Sequence, residues 1–169
     1  MPEPRSWLFV PADSERKVMK ALDSEADAII FDLEDSVAPA LKPVARELIN
    51  NLPKRTGGPQ WWVRINPLGS EHVKEDLELL GVADIHGIVL PKTEGGADVT
   101  RLAHRTGNIP IHAIVTETAA SLFGLLSYRQ PASPLTCRAP SVSYLSTACQ
   151  MTVQRRTVCP ARSNAPMHS

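Results

Sequence analysis

A repeated alternation restricts the fold of this chain more than any other feature. Five short apolar runs, "SWLFVP" (6–11), "DAIIFDLE" (27–34), "WWVRIN" (61–66), "GIVLPK" (87–92) and "IHAIVTE" (111–117), are each followed by a stretch of helical periodicity. The runs are nearly continuous in apolar side chains, the pattern of strands buried on both faces. Five strand–helix units within about 130 residues predict a parallel sheet with helices packed outside it.

The helical stretches carry their own signals. Asp13 or Ser14 can cap a helix that runs to about Leu22. Pro39 suits the first turn of a helix reaching Asn50, with Ala40, Val44 and Leu48 on one face. From Ser70, the pattern puts Val73, Leu77 and Leu80 on one face and Glu71, Lys74, Glu75 and Glu78 on the other. A helix follows from about Gly96 to Arg105, and "TAASLFGLLSY" is helical after the fifth strand. Two architectures accommodate such units, an open doubly wound sheet of flavodoxin type or a (β/α)8 barrel. The first strand is followed by no GxGxxG, and GxxxxGK[ST] occurs nowhere in the chain. Gly95-Gly96 could receive a phosphate at a helix N-terminus, but a lone Gly-Gly reads first as a turn.

Composition enters through a break near residue 130. The 169 residues have a formal net charge of zero, but all 18 acidic residues lie at or before Glu117. Residues 131–169 hold four arginines, no acid and all three cysteines, Cys137, Cys149 and Cys159. Zinc sites need tighter spacing than this, and His168 adds one histidine only. Residues 1–130 therefore read as the folded domain, and residues 131–169 as an irregular, disordered tail. Neither nucleic acid nor a membrane is expected as a partner, because the chain has no excess of basic charge and no apolar run near ~18 residues. The start, "MPEPRSWLFVPADSER", is too charged for a signal peptide, so a cytoplasmic location is expected.

The polar residues follow one rule. Asp32, Glu34 and Asp35 come at the end of the second strand, Arg64 and Asn66 at the end of the third, Lys92 after the fourth and Glu117 at the end of the fifth. In parallel α/β folds the carboxyl ends of all strands share one face, where ligands bind. Three carboxylates at the end of an apolar strand need a solvated rim or a positive partner. Arg64, Lys92 or a divalent cation can supply it. Singly, each residue has a plainer role: Asp35, for one, could only form a turn and cap the next helix. His72, His86, His104 and His112 show no metal-ligand spacing, and His112 reads as a satisfied core histidine. Nothing supports Ser-His-Asp or Cys-His catalysis.

At this point a family becomes visible. "RSWLFVPA", "ADAIIFDLEDSVAPALKPVAR", "VRINP", "GIVLPKTE" and "AIVTETAASL", in that order over about residues 5–128, resemble the HpcH/HpaI aldolase / citrate lyase β-subunit family. The resemblance implies a (β/α)8 TIM barrel, here with about five units and so incomplete. It implies a Mg2+-dependent carbon–carbon lyase or aldolase acting on a CoA thioester of citryl-CoA or malyl-CoA type, giving an acyl-CoA and a 2-oxo acid. Carried over by position, Glu117 is a carboxylate ligand of Mg2+, and Arg64 holds the carboxylate and oxo group of the oxo acid. Asp32, Glu34 and Asp35 surround the metal and its waters, while Arg5 and Lys92 orient that cluster or meet anionic parts of the substrate. A homo-oligomer is expected for the family.

The chain also departs from the family. A sixth-strand motif near "WGxEDL", which supplies the second metal carboxylate, has no counterpart after Tyr128, and strands six to eight are not expected. The switch in composition has the character of translation out of frame near residue 130, which resequencing across the codons for Gln130 to Leu135 would test. Low activity, or a non-catalytic role as partner of a full-length homologue, is the corresponding expectation.

Overall fold

Each apolar run forms a strand. The computed structural model describes residues 4–53, 57–81, 83–107, 109–129 and 142–146. Strands β1 (Trp7–Pro11), β2 (Ala28–Asp32), β3 (Gln60–Arg64), β4 (Gly87–Leu90) and β5 (Ile111–Val115) match the five runs. Between and after them lie α1 (Glu15–Leu22), α2 (Lys42–Asn50), α3 (Val73–Glu78), α4 (Gly96–Thr106) and α5 (Ala119–Gly124). From β2 onward each strand stops about two residues before its apolar pattern ends, and the residues left over form the carboxyl-end rim.

The expectation that residues 131–169 contain no strand is corrected at one place. Val142–Ser146 form β6, which pairs in parallel with β5 from Ile111↔Val142 to Val115↔Ser146. Five residues without Pro or charge can form a ladder wherever a neighbouring edge is free. Cys137, Cys149, Cys159 and His168 lie outside the described residues.

All described strands are parallel, in the order β1-β2-β3-β4-β5-β6. That order decides between the two architectures, because a doubly wound sheet reverses direction at a switch point and this one does not. Among the described residues no strand joins β6 to β1, so the sheet is part of a barrel and not a closed one.

Strand alternation splits the core in two. Ile29, Phe31, Val63, Ile88 and Ile111 face the helices, where they meet Val18, Ala45, Val99 and Leu102. Ala28, Ile30, Trp62, Val89 and Ile114 form a separate cluster on the other, concave face, with Trp7 and Phe9 against it. The Trp62 ring lies where a side chain at Gly87 would project, which accounts for a glycine inside β4.

Two helical details differ from the sequence pattern. The buried stripe of α2 is Lys42, Ala45 and Ile49, whereas Val44 is 49% exposed. A stripe at i, i+3, i+7 is as helical as one at i, i+4, and the apolar residues marked the wrong one because a lysine occupies the buried position. Ser14 is the N-cap of α1 by position, but its side chain makes no capping hydrogen bond. In α3 the expected polar residues are exposed, yet Asp76 is fully buried.

Candidate active site

Register builds the site. Asp32 and Arg64 are paired positions on adjacent strands, two residues beyond Ile30 and Trp62 on the same concave face. The carboxyl-end layer is therefore ionic where the layer below it is apolar. Arg64 Nε donates to Asp32 Oδ1 at 2.7 Å and Nη2 to Oδ2 at 2.6 Å, a bidentate pair with both residues buried. Its Nη1 lies 3.2 Å from Glu34 Oε2, and the Phe9 ring stacks 5.1 Å from its guanidinium carbon. Asp32 also accepts from the Glu34 and Ser36 backbone N–H groups, so the turn after β2 folds around its carboxylate.

The ionic chain continues across the mouth. Lys92 Nζ lies 2.7 Å from Glu34 Oε1 and donates to Asp35 Oδ1 at 3.0 Å. Its backbone N–H donates to Glu117 Oε2 at 2.6 Å. Lys92 and Thr116 both have positive φ, 51° and 72°. A β-branched residue at that φ is strained by about 1–3 kcal/mol, and such strain clusters at functional sites. Here it turns the ends of β4 and β5 so that Lys92 meets Glu117.

Charge and burial set the protonation states. Burial pushes the Asp32 carboxyl up, but the Arg64 guanidinium outweighs it and the net shift is down. The Glu34 carboxyl is pushed up by burial, beyond what Lys92 and Arg64 recover. Its contacts to both cations lie at ion-pair distance with poor hydrogen-bond angles, so both buried oxygens lack an aligned donor. The Glu34 carboxylate beside it raises the Lys92 ammonium, and Asp32 raises Arg64 against the effect of its burial. Both cations stay charged.

Arg64 and Glu117 therefore stand at one mouth, linked through Glu34 and Lys92. A cavity of 310 Å3 opens on the β1–β3 side of this mouth, lined by Phe9, Val10, Pro11, Asp32, Asp35, Ser36 and Arg64. Arg5 is not brought in. It sits at the amino-terminal end of the sheet, where its backbone N–H and guanidinium meet Asp27, and its side chain is 91% exposed. The placement of Arg5 at the substrate is thus corrected: it precedes β1, and the rim is built from the carboxyl-terminal parts of the strands and the residues that follow them.

Gly95-Gly96 also has another purpose. The Gly96 N–H donates to Ser127 Oγ at 2.9 Å, and Gly96 and Gly124 let the segment after α5 approach the start of α4. His112 is buried on the concave face between the Trp7 and Trp62 rings, 4.7 and 4.2 Å away, and its Nδ1 has no partner. It is a core histidine, but not a satisfied one.

Three residues behind the rim escaped the sequence pattern: Lys42, Arg46 and Asp76, which join Asn66 in a buried network. A signal existed for Asp76, which lies three residues after Val73 and four before Leu80, on the core face of α3.

The sequence profile of the HpcH/HpaI aldolase/citrate lyase family matches residues 5–120. The chain belongs to that family. A citrate lyase subunit beta-like protein of Mycobacterium tuberculosis is 42% identical over 102 residues, covering 59% of this chain and 35% of that protein. A (3S)-malyl-CoA thioesterase of Cereibacter sphaeroides is 38% identical over 120 residues, covering 70% of this chain and 42% of that protein. The crystal structure of protein CitE from M. tuberculosis with magnesium and acetoacetate superposes with a TM-score of 0.68 at 33% identity, over 84% of this chain and 53% of that one. A complex of the same protein with magnesium and pyruvate gives the same values. The chain thus spans well under half the length of these curated relatives.

Proposed function

We propose that the mouth formed by Arg64, Glu34, Lys92 and Glu117 binds a 2-oxo acid beside a magnesium ion, as part of a carbon–carbon lyase for CoA thioesters of hydroxy acids. The ionic chain from Asp32 to Glu117 carries the proposal. Its four carboxylates, Asp32, Glu34, Asp35 and Glu117, face two cations, Arg64 and Lys92, leaving two negative charges for a divalent ion to balance.

The donor set suits a hydrated hard cation. Mg2+ prefers carboxylate oxygens and keeps several waters. Glu117 would be its direct ligand, with Glu34 and Asp35 holding its waters; the unaligned oxygens of Glu34 can accept from such waters. Among the described residues no group of three or more His, Cys, Asp or Glu is placed to hold a metal, so the ion would be loosely held. When bound, it supplies Lewis-acid stabilisation of an oxygen that gains negative charge.

Arg64 fits the oxo acid. Asp32 engages two of the five N–H groups of its guanidinium and Glu34 lies at ion-pair distance from Nη1, which together fix its plane. The remaining donors can hold a carboxylate in one orientation before the bond breaks. Phe9, Ile30 and Trp62 keep water from its inner side. In the cleavage direction the hydroxyl proton of the substrate leaves to a base and its carbon becomes the oxo carbon. The electron pair of the broken C–C bond passes to the acyl-CoA fragment, which takes up a proton at that carbon.

The resemblance to (3S)-malyl-CoA thioesterases favours a second reading, in which water cleaves the thioester and no C–C bond breaks. Incubation with malyl-CoA and Mg2+ separates the two: the lyase forms a 2-oxo acid in step with acetyl-CoA, the thioesterase forms malate and free CoA. Turnover by the 169-residue chain is expected to be low, with magnesium-dependent pyruvate binding as the more sensitive readout. Free CoA without oxo acid, or no pyruvate binding with Mg2+, would refute the lyase proposal. A cytoplasmic location and assembly into homo-oligomers belong to the same proposal; among the described residues no helix is long and apolar enough to cross a membrane.

A further inference from the structure

The acidic turn after β2 is held from behind by a lysine. Lys42 is 4% exposed, and its ammonium donates to Leu33 O at 2.6 Å, Glu34 O at 3.0 Å and Asn66 Oδ1 at 2.8 Å. All three of its N–H groups are thereby used. Asn66 Nδ2 donates to the same Leu33 carbonyl at 3.0 Å and to Asp76 Oδ2 at 2.7 Å, and its backbone N–H donates to Asp76 Oδ2 at 2.7 Å. Arg46 Nε closes the network on Asp76 Oδ1 at 2.8 Å. The turn after β2 is thus tied to three other segments: α2 and the end of β3 directly, and α3 through Asn66.

A buried ammonium surrounded by neutral oxygens is an expensive way to fill a helix position that a leucine or methionine could fill. Its gain is geometric. Leu33 and Glu34 have left the ladder at their carbonyls, and without Lys42 the Glu34 carbonyl would keep only the longer Val37 N–H bond at 3.3 Å and the Leu33 carbonyl only Asn66 Nδ2. The orientation of that peptide decides where the Glu34 and Asp35 carboxylates stand relative to Arg64 and Lys92.

We propose that Lys42 is a positioning residue for the rim: its ammonium clamps the Leu33 and Glu34 carbonyls and thereby sets the carboxylate geometry that Arg64 and Lys92 read. The inference rests on the functional proposal only through its ligand readout. Lys42 touches no substrate and acts from the far side of the backbone.

The test compares Lys42→Met with Leu102→Ala, a core truncation on α4, a helix that contributes no residue to the rim or to the Lys42 network. Two readouts are taken on the folded 169-residue chain: pyruvate affinity in Mg2+ by calorimetry, and hydrogen exchange at Arg64 Nε–H and the Glu34 amide by NMR. Lys42→Met is expected to weaken pyruvate binding about tenfold or more and to speed both exchanges at least tenfold. Leu102→Ala is expected to leave affinity within about twofold and the two exchanges no faster than its overall loss of stability requires. Should Lys42→Met not fold, Asn66→Ala, which removes one oxygen from the ammonium's cage, is expected to shift both readouts the same way by less. If the lysine variant leaves them unchanged, or both variants move them equally, the positioning role is overturned. If the unaltered chain does not bind pyruvate, the functional proposal fails, and the exchange measurement alone decides the role of Lys42.

Discussion

The two ends of the same strands treat charge in opposite ways. At the amino end, Asp27 accepts from the Arg5 and Ser6 backbone N–H groups and from Ser6 Oγ, all in solvent. These contacts fasten the start of β2 to the residues before β1 and lead nowhere else. At the carboxyl end, Asp32 and Arg64 are buried and pass charge through Glu34 and Lys92 to Glu117, across four strands. The residue types are the same; the difference lies in solvent. In water an ion pair is worth little, whereas a desolvated one fixes geometry and is costly to break.

The sharpest attempt to break this contrast is Arg64→Met. It leaves Asp32 and Glu34 buried without their main cation and should cost about 3–5 kcal/mol in urea unfolding. The double variant Arg64→Met/Asp32→Leu should recover part of that loss; a double variant less stable than the single one would contradict the ion-pair account. Next comes His112, whose imidazole burial pushes down to about 4 from 6.5. A depressed histidine favours folding while neutral, so its contribution is complete above about pH 6.5 and is lost as pH falls towards about 4, where only the unfolded chain takes up the proton. That window should hold roughly 2–3 kcal/mol of pH-dependent stability, measurable as unfolding midpoints from pH 7 to 4 and absent in His112→Phe. Lys92→Met should cost roughly 1 kcal/mol, because its ammonium is partly exposed and water screens the loss. Asp27→Ala is expected to leave the melting midpoint almost unchanged.

Much of this arrangement could be read from the chain. Near-continuous apolar runs give away parallel strands, and the residues that end them, Asp32, Arg64, Lys92 and Glu117, mark the rim because a strand shows where it stops. Strand order did not follow from the units, which both architectures share; it came from the family resemblance, which implied the barrel order observed. The network of Lys42, Arg46 and Asp76 was hidden for a physical reason: a charge on a helix reads as solvated, and only tertiary partners make its burial tolerable. Arg5 misled in the opposite sense. It lies beside an apolar strand as Arg64 does, but at the wrong end of it.

The central claim is that the carboxyl-end rim is a preorganised site and the amino-end rim is not. Calorimetric titration of pyruvate in Mg2+ against the unaltered chain, Arg64→Lys and Arg5→Met tests it most directly. Lysine keeps the charge but lacks the planar fork, so Arg64→Lys should bind pyruvate at least about tenfold more weakly, while Arg5→Met binds as the unaltered chain does. Equal loss in both variants, or undiminished binding by Arg64→Lys, would contradict the claim.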